Sequence, residues 1–60
     1  MKEGNEIRVT WKNDNMLLGQ YIIEEIDFQS GTFIKFKYVK DGYRSSMLVD
    51  KRFHNVEVIK

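Results

Sequence analysis

The chain has 60 residues, with 10 Lys and Arg, 9 Asp and Glu, one His, and neither Cys nor Pro. This length supports a single hydrophobic core, so we expect one small domain over residues 1–60. Without cysteine there is no disulfide framework, thiolate metal site or cysteine nucleophile, and a single His excludes most zinc chemistry. A domain this small has little chain to spare for a catalytic pocket. We therefore expect a non-enzymatic protein with no cofactor and no metal.

Neither a membrane span nor a signal peptide is indicated by the apolar residues. The longest uncharged apolar stretch covers residues 16–23 and is interrupted by Gly19 and Gln20. A helix that crosses a bilayer needs about 20 apolar residues. Residues 1–5 are polar, and no apolar segment follows them directly, as a secretory signal would require. The sequence predicts a cytoplasmic protein with no membrane partner.

The charges divide unevenly along the chain. Residues 33–60 contain seven Lys and Arg against three Asp and Glu, whereas residues 21–32 contain three acidic residues and no base. A basic half fits a surface for phosphates or for an acidic protein, and it fits a solvated face equally well.

Apolar and polar residues alternate with period two along most of the chain, which predicts an all-β domain. In the first strand, Ile7, Val9 and Trp11 share one parity and should face the core. A polar turn follows at residues 13–15. Residues 16–28 are too long for one flat strand, and Gly19 is the expected place of a bulge or bend.

Residues 32–40 form the clearest strand, and the Asp41-Gly42 dipeptide after it predicts a two-residue type I′ hairpin turn. That turn fixes the register, with Lys40 opposite Tyr43 and Ile34 opposite Val49. One face of this hairpin is then mainly apolar. The other face carries three bases, which are Lys35, Lys37 and Arg44.

After Val49, residues 50–54 break the alternation and are predicted to form a single helical turn before a last strand of about five residues. Five short strands joined by tight turns indicate a small five-stranded SH3-like or Sm-like barrel, or a strongly curled antiparallel sheet.

The basic hairpin face and the turn after it form the predicted binding site. Rigid strands can hold several Lys and Arg side chains against phosphates at little cost in conformational entropy. Exposed aromatic rings can stack on unpaired nucleobases. The predicted phosphate-contacting residues are Lys35, Lys37, Arg44, Lys51 and Arg52, and Tyr43 is the predicted stacking residue. The expected partner is RNA or DNA.

Other interpretations of the same residues stay open. The basic hairpin of a protein-interaction module or of a small regulatory inhibitor would instead dock on an acidic protein partner. An unpaired edge strand also favours a homo-oligomer. Glu25 and Asp27 share one strand face, and we interpret them as solvated carboxylates. His54 has no Ser or Asp at a spacing that indicates a catalytic triad.

Several segments resemble the Sm-like fold of Sm proteins and the bacterial RNA chaperone Hfq. The residues that carry the resemblance are Ile7–Trp11, the turn at 13–15, Leu17-Leu18-Gly19, Ile26-Asp27-Phe28, Met47–Val49, Asp50–Arg52 and Val56–Ile59. The Gly and Ile-Asp arrangement is also similar to YolD-like proteins of bacteria and phages. The resemblance implies nucleic-acid contact through residues 27–29 on one side and Lys51 and Arg52 on the other. It also implies ring-like or dimeric assembly through edge strands.

Overall fold

The computed structural model, which describes residues 1–60, contains five β-strands and no helix. The strands are β1 (Glu6–Trp11), β2 (Leu17–Gln29), β3 (Phe33–Lys40), β4 (Tyr43–Asp50) and β5 (His54–Val58). They form one antiparallel sheet in the order β4-β3-β2-β1-β5. The all-β prediction is confirmed, and the sheet stays open because β4 and β5 do not pair. No segment forms a helix of the length and apolarity that a membrane crossing requires.

The hairpin of β3 and β4 has the predicted register. Lys40 lies opposite Tyr43, and Ile34 lies opposite Val49, with no irregularity between them. Asp41 and Gly42 both have positive φ, at 53° and 80°. A type I′ turn requires this backbone at both central residues, so the dipeptide sets the pairing of the two strands.

Strand β2 is long because bulges bend it around the core. Its pairing with β1 shifts beside Gly19, as predicted. Its pairing with β3 shifts twice more, at Glu24 and at Asp27, where β2 contributes one extra residue each time. Each bulge bends the strand and increases its twist, so β2 can pair with β1 at one end and with β3 at the other.

The core lies on one face of the sheet and consists of seven buried side chains. They are Ile7, Val9, Tyr21, Ile23, Ile34, Phe36 and Val49. The prediction of an inward-facing first strand is correct for Ile7 and Val9 and wrong for Trp11, which is 41% exposed. Trp11 ends β1 and pairs with His54, the first residue of β5. It therefore lies at one end of the two strands, beyond the buried core.

The connection between β4 and β5 is shorter than predicted. Asp50 ends β4 and His54 begins β5, so only residues 51–53 form the turn. The Phe53 N–H donates to the Asp50 carbonyl at 3.2 Å, and the Lys51 N–H donates to the Thr32 carbonyl at 2.7 Å. The turn is therefore hydrogen-bonded to the β2–β3 connection.

Candidate nucleic-acid interface

Lys35, Lys37 and Arg44 share the outer face of the β3–β4 hairpin. On β3 the two lysines are exposed and alternate with the buried Ile34 and Phe36, as the pleat of a strand dictates. Arg44 lies on the neighbouring strand, opposite Val39. The predicted grouping of three bases on one face is present.

Carboxylates of β2 pair with two of these three bases. Lys37 Nζ lies 2.9 Å from Glu25 Oε2 and 3.9 Å from Asp27 Oδ1, and Arg44 Nε lies 3.1 Å from Glu24 Oε2. The hydrogen bond to Glu25 and the charges of the nearby carboxylates raise the pKa of Lys37. These pairs are exposed and add little stability, but they offset the positive potential of the face.

The bulges of β2 explain why the sequence did not reveal this compensation. Glu24 and Asp27 are the extra residues of their bulges, so strict alternation does not predict where they point. The prediction that Glu25 and Asp27 share a face is correct, since both contact Lys37. Of the three hairpin bases, only Lys35 has no carboxylate within ion-pair distance.

Lys51 and Arg52 lie at the β4–β5 turn and differ in how they are held. Lys51 Nζ donates to the Ser30 carbonyl at 2.9 Å, which leaves its positive charge without an acidic partner. Arg52 binds both carboxylate oxygens of Asp50, through Nε at 3.1 Å and Nη2 at 2.8 Å. This bidentate contact raises the pKa of Arg52 and lowers the pKa of Asp50. It also fixes the plane of the guanidinium group.

Arg52 is packed among aromatic rings as well. Its guanidinium carbon lies 5.6 Å from the centre of the Phe33 ring and 5.5 Å from the centre of the Phe53 ring. Both distances are within the range of cation–π contacts. Phe33 is half-buried beneath Arg52.

An open pocket of about 320 Å³, here called the turn pocket, lies where the β1–β2 and β4–β5 turns meet. It is lined by Trp11, Lys12, Asn13, Arg52 and Phe53. The Lys12 N–H donates to the Phe53 carbonyl at 2.9 Å and joins the two turns. Phe53 is 57% exposed, and Lys12 has no acidic partner. The turn pocket thus combines two accessible aromatic rings with two cationic side chains.

The indole of Trp11 is supported from one side by His54. The two ring centres are 4.1 Å apart, with 43° between the planes. The His54 Nδ1 atom lies 2.9 Å from the Asp50 carbonyl, so the imidazole is held by the β4–β5 turn. This support keeps the indole in place at the end of β1.

Tyr43, the predicted stacking residue, lies at the tip of the hairpin and is 78% exposed. On β4 it has the same parity as the buried Val49, so it is on the opposite face of the hairpin from Lys35 and Lys37. The six predicted residues therefore occupy three places: the outer hairpin face, the β4–β5 turn and the hairpin tip. Local sequence patterns do not indicate Trp11, Lys12 and Asn13 as site residues, because only the pairing of β5 with β1 brings them next to Arg52.

Comparison of the chain with protein-family models, with curated proteins and with solved structures gave no match. The resemblance to Sm-like and YolD-like proteins thus stays a prediction that depends on the quoted segments.

Proposed function

We propose that this protein binds single-stranded nucleic acid, without catalysing a reaction, and that the turn pocket is its principal contact. The observation that supports the proposal is the exposure of Trp11 and Phe53 beside Lys12 and Arg52. Single-stranded nucleic acids present base faces for stacking and phosphates for cations at short intervals along the chain. A duplex keeps its bases stacked on each other, so the aromatic rings favour a single strand.

Under this proposal, the Lys and Arg side chains around the turn pocket contribute unequally to phosphate binding. Lys12 and Lys51 carry positive charges with no acidic partner, so both are available to phosphates. The charge of Arg52 is offset by Asp50, and its fixed guanidinium plane extends the stacking surface. Lys37 and Arg44 contribute less than the sequence predicts, because carboxylates already pair with them.

Trp11 provides a direct readout because it is the only tryptophan in the chain. The test is to titrate the protein with single-stranded RNA, single-stranded DNA and duplex DNA at two salt concentrations. Binding is followed by the anisotropy of labelled oligonucleotides and by the fluorescence of Trp11. We expect single strands to bind with micromolar or tighter affinity, to quench Trp11 and to weaken steeply with salt.

A matched pair of phenylalanine variants locates the site. Phe53→Ala removes a ring of the turn pocket and should weaken single-strand binding about 5- to 150-fold, since each stacked base contributes about 1–3 kcal/mol. Phe28→Ala removes a ring that is 46% exposed on β2 and does not line the turn pocket, so it should leave the affinity unchanged if the turn pocket is the site. Absence of binding at low salt would contradict the proposed function. Equal losses in the two variants would contradict the proposed site.

Docking on an acidic protein is the second candidate, and a different surface favours it. Phe28, Lys35 and Leu48 lie side by side across three strands on the outer face. Phe28 and Leu48 are about half exposed, and the lysine between them has no acidic partner. Under this alternative, Lys35→Glu abolishes the binding of an acidic protein and Phe53→Ala does not. The opposite pattern would exclude this surface.

A further inference from the structure

The free edge of β4 has an unpaired backbone. Residues 32 and 51 continue the register of β3 and β4 by one position. They form a hydrogen-bonded pair, because the Lys51 N–H donates to the Thr32 carbonyl. In an antiparallel ladder such pairs alternate with pairs that make no backbone hydrogen bond. The backbone N–H and C=O groups of Arg44, Ser46 and Leu48 therefore point away from the sheet.

Proteins commonly protect such an edge with a proline, a bulge or a short strand. β4 has eight residues in an unbroken register with β3, and the chain contains no proline. Leu48 is 57% exposed at this edge. The other edge strand, β5, has only five residues. β4 is thus the edge better suited to pair with another strand.

We propose that β4 pairs in antiparallel orientation with β4 of a second copy of this chain, about a two-fold axis at Met47. This register places Arg44 of each copy opposite Asp50 of the other. It also places Ser46 opposite Leu48, where the outward backbone groups of both residues form hydrogen bonds across the axis.

Charge complementarity is the reason to expect a second copy and this register. Arg44 has an 80% exposed side chain whose contact with Glu24 is also exposed, so it can exchange that contact for Asp50 of the second copy and add a second cation to the carboxylate that Arg52 of that copy already binds. A two-fold axis at Ser46 would instead place Arg44 opposite the apolar Leu48. The half-buried Met47 packs against the core and would meet Met47 of the second copy, which extends the apolar layer across the axis.

Sedimentation equilibrium of the protein alone, over a wide concentration range, tests the association. Leu48→Lys places a charge at the pairing edge and should weaken dimerisation at least tenfold. Leu17→Lys is the matched control, because Leu17 is 56% exposed on the inner strand β2. We expect this control to dimerise like the original chain. A protein that stays monomeric at every concentration, or equal losses in the two variants, would overturn the proposal.

Single-cysteine variants test the register, since the chain has no native cysteine. With the axis at Met47, the two Met47 Cα atoms form a non-hydrogen-bonded pair about 4.5 Å apart, which is within the range of a disulfide. Met47→Cys should then crosslink under mild oxidation faster than Ser46→Cys. Faster crosslinking of Ser46→Cys would overturn the proposed axis.

Amide hydrogen exchange identifies the paired edge without any substitution. The Ser46 and Leu48 amides should become protected as the protein concentration rises. On β5, the Val56 and Val58 amides point away from β1, as the hydrogen bonds from Lys12 to Phe53 and from Ile59 to Glu6 indicate. Protection of these β5 amides instead would assign the association to the other edge. Because no nucleic acid is present, failure here leaves the proposed function intact.

Discussion

Gly19 illustrates how a single residue sets the path of a strand. The bulge in β2 lies beside it, and the side chain of Tyr21, two residues along on the same face, covers its Cα. A Cβ atom at this position would clash with the Oη and Cζ atoms of Tyr21. The Tyr21 ring cannot move away easily, because its centre lies 4.7 Å from the Tyr38 ring and 6.4 Å from the Phe36 ring.

Gly19→Ala should therefore destabilise the protein by about 1–3 kcal/mol, the usual cost of overpacking a core. Urea unfolding followed by circular dichroism measures the change. Gly31→Ala is the matched control, because a Cβ atom there has no neighbour within 4 Å and its backbone is not left-handed. We expect the control to change stability by less than about 0.5 kcal/mol. Equal effects of the two substitutions would contradict the packing argument.

Among the elements, β2 determines how much positive charge the hairpin displays. β3 and β4 bring three bases to one face, but the bulges of β2 bring carboxylates to two of them. A phosphate near Lys37 would have to compete with Glu25 and Asp27. Lys12 lines the turn pocket and has no carboxylate within ion-pair distance.

The salt dependence of single-strand binding distinguishes these two lysines. Sequence reasoning alone predicts that Lys37→Ala lowers the slope of log affinity against log salt by about one unit. With the observed ion pairs, we expect Lys37→Ala to leave the slope nearly unchanged, and Lys12→Ala to lower it by about 0.7. Anisotropy titrations at four or more salt concentrations provide both slopes. A larger change for Lys37→Ala would mean that phosphates displace its carboxylate partners.

The register of the β3–β4 hairpin could be predicted from the sequence, whereas the bulges of β2 could not. The Asp41-Gly42 turn and the alternation on both sides of it define the hairpin locally, so its register was predictable residue by residue. The bulges at Glu24 and Asp27 depend on how β2 bends to pair with two strands, which local patterns do not encode. The partners of Lys37 and Arg44 could not be derived for this reason.

On the scale of the whole molecule, the turn pocket depends on contacts between residues about 40 positions apart. The pairing of β5 with β1 brings Phe53 next to Lys12. Trp11 was assigned to the core by parity, which identifies a face of the sheet but not where the sheet ends. Which end of the sheet Trp11 occupies follows only from the arrangement of all five strands.

The small core also limits the stability of the whole molecule. Seven buried side chains support 60 residues, whereas ten large hydrophobic side chains stay exposed. Domains typically have a free energy of unfolding of about 0.05–0.15 kcal/mol per residue, so we expect about 3–9 kcal/mol here. A single large cavity in the core would remove much of that stability.

Two phenylalanines on neighbouring strands test this argument. Phe36 is fully buried and its ring centre lies 6.1 Å from that of Tyr38, whereas Phe28 is 46% exposed. Phe36→Ala should cost about 3–5 kcal/mol and leave a large unfolded fraction at 37 °C. Phe28→Ala should cost less than about 1 kcal/mol, because it opens no cavity. Thermal and urea unfolding of both variants measure the difference, and similar losses would mean that the outer face is covered by association rather than exposed to water.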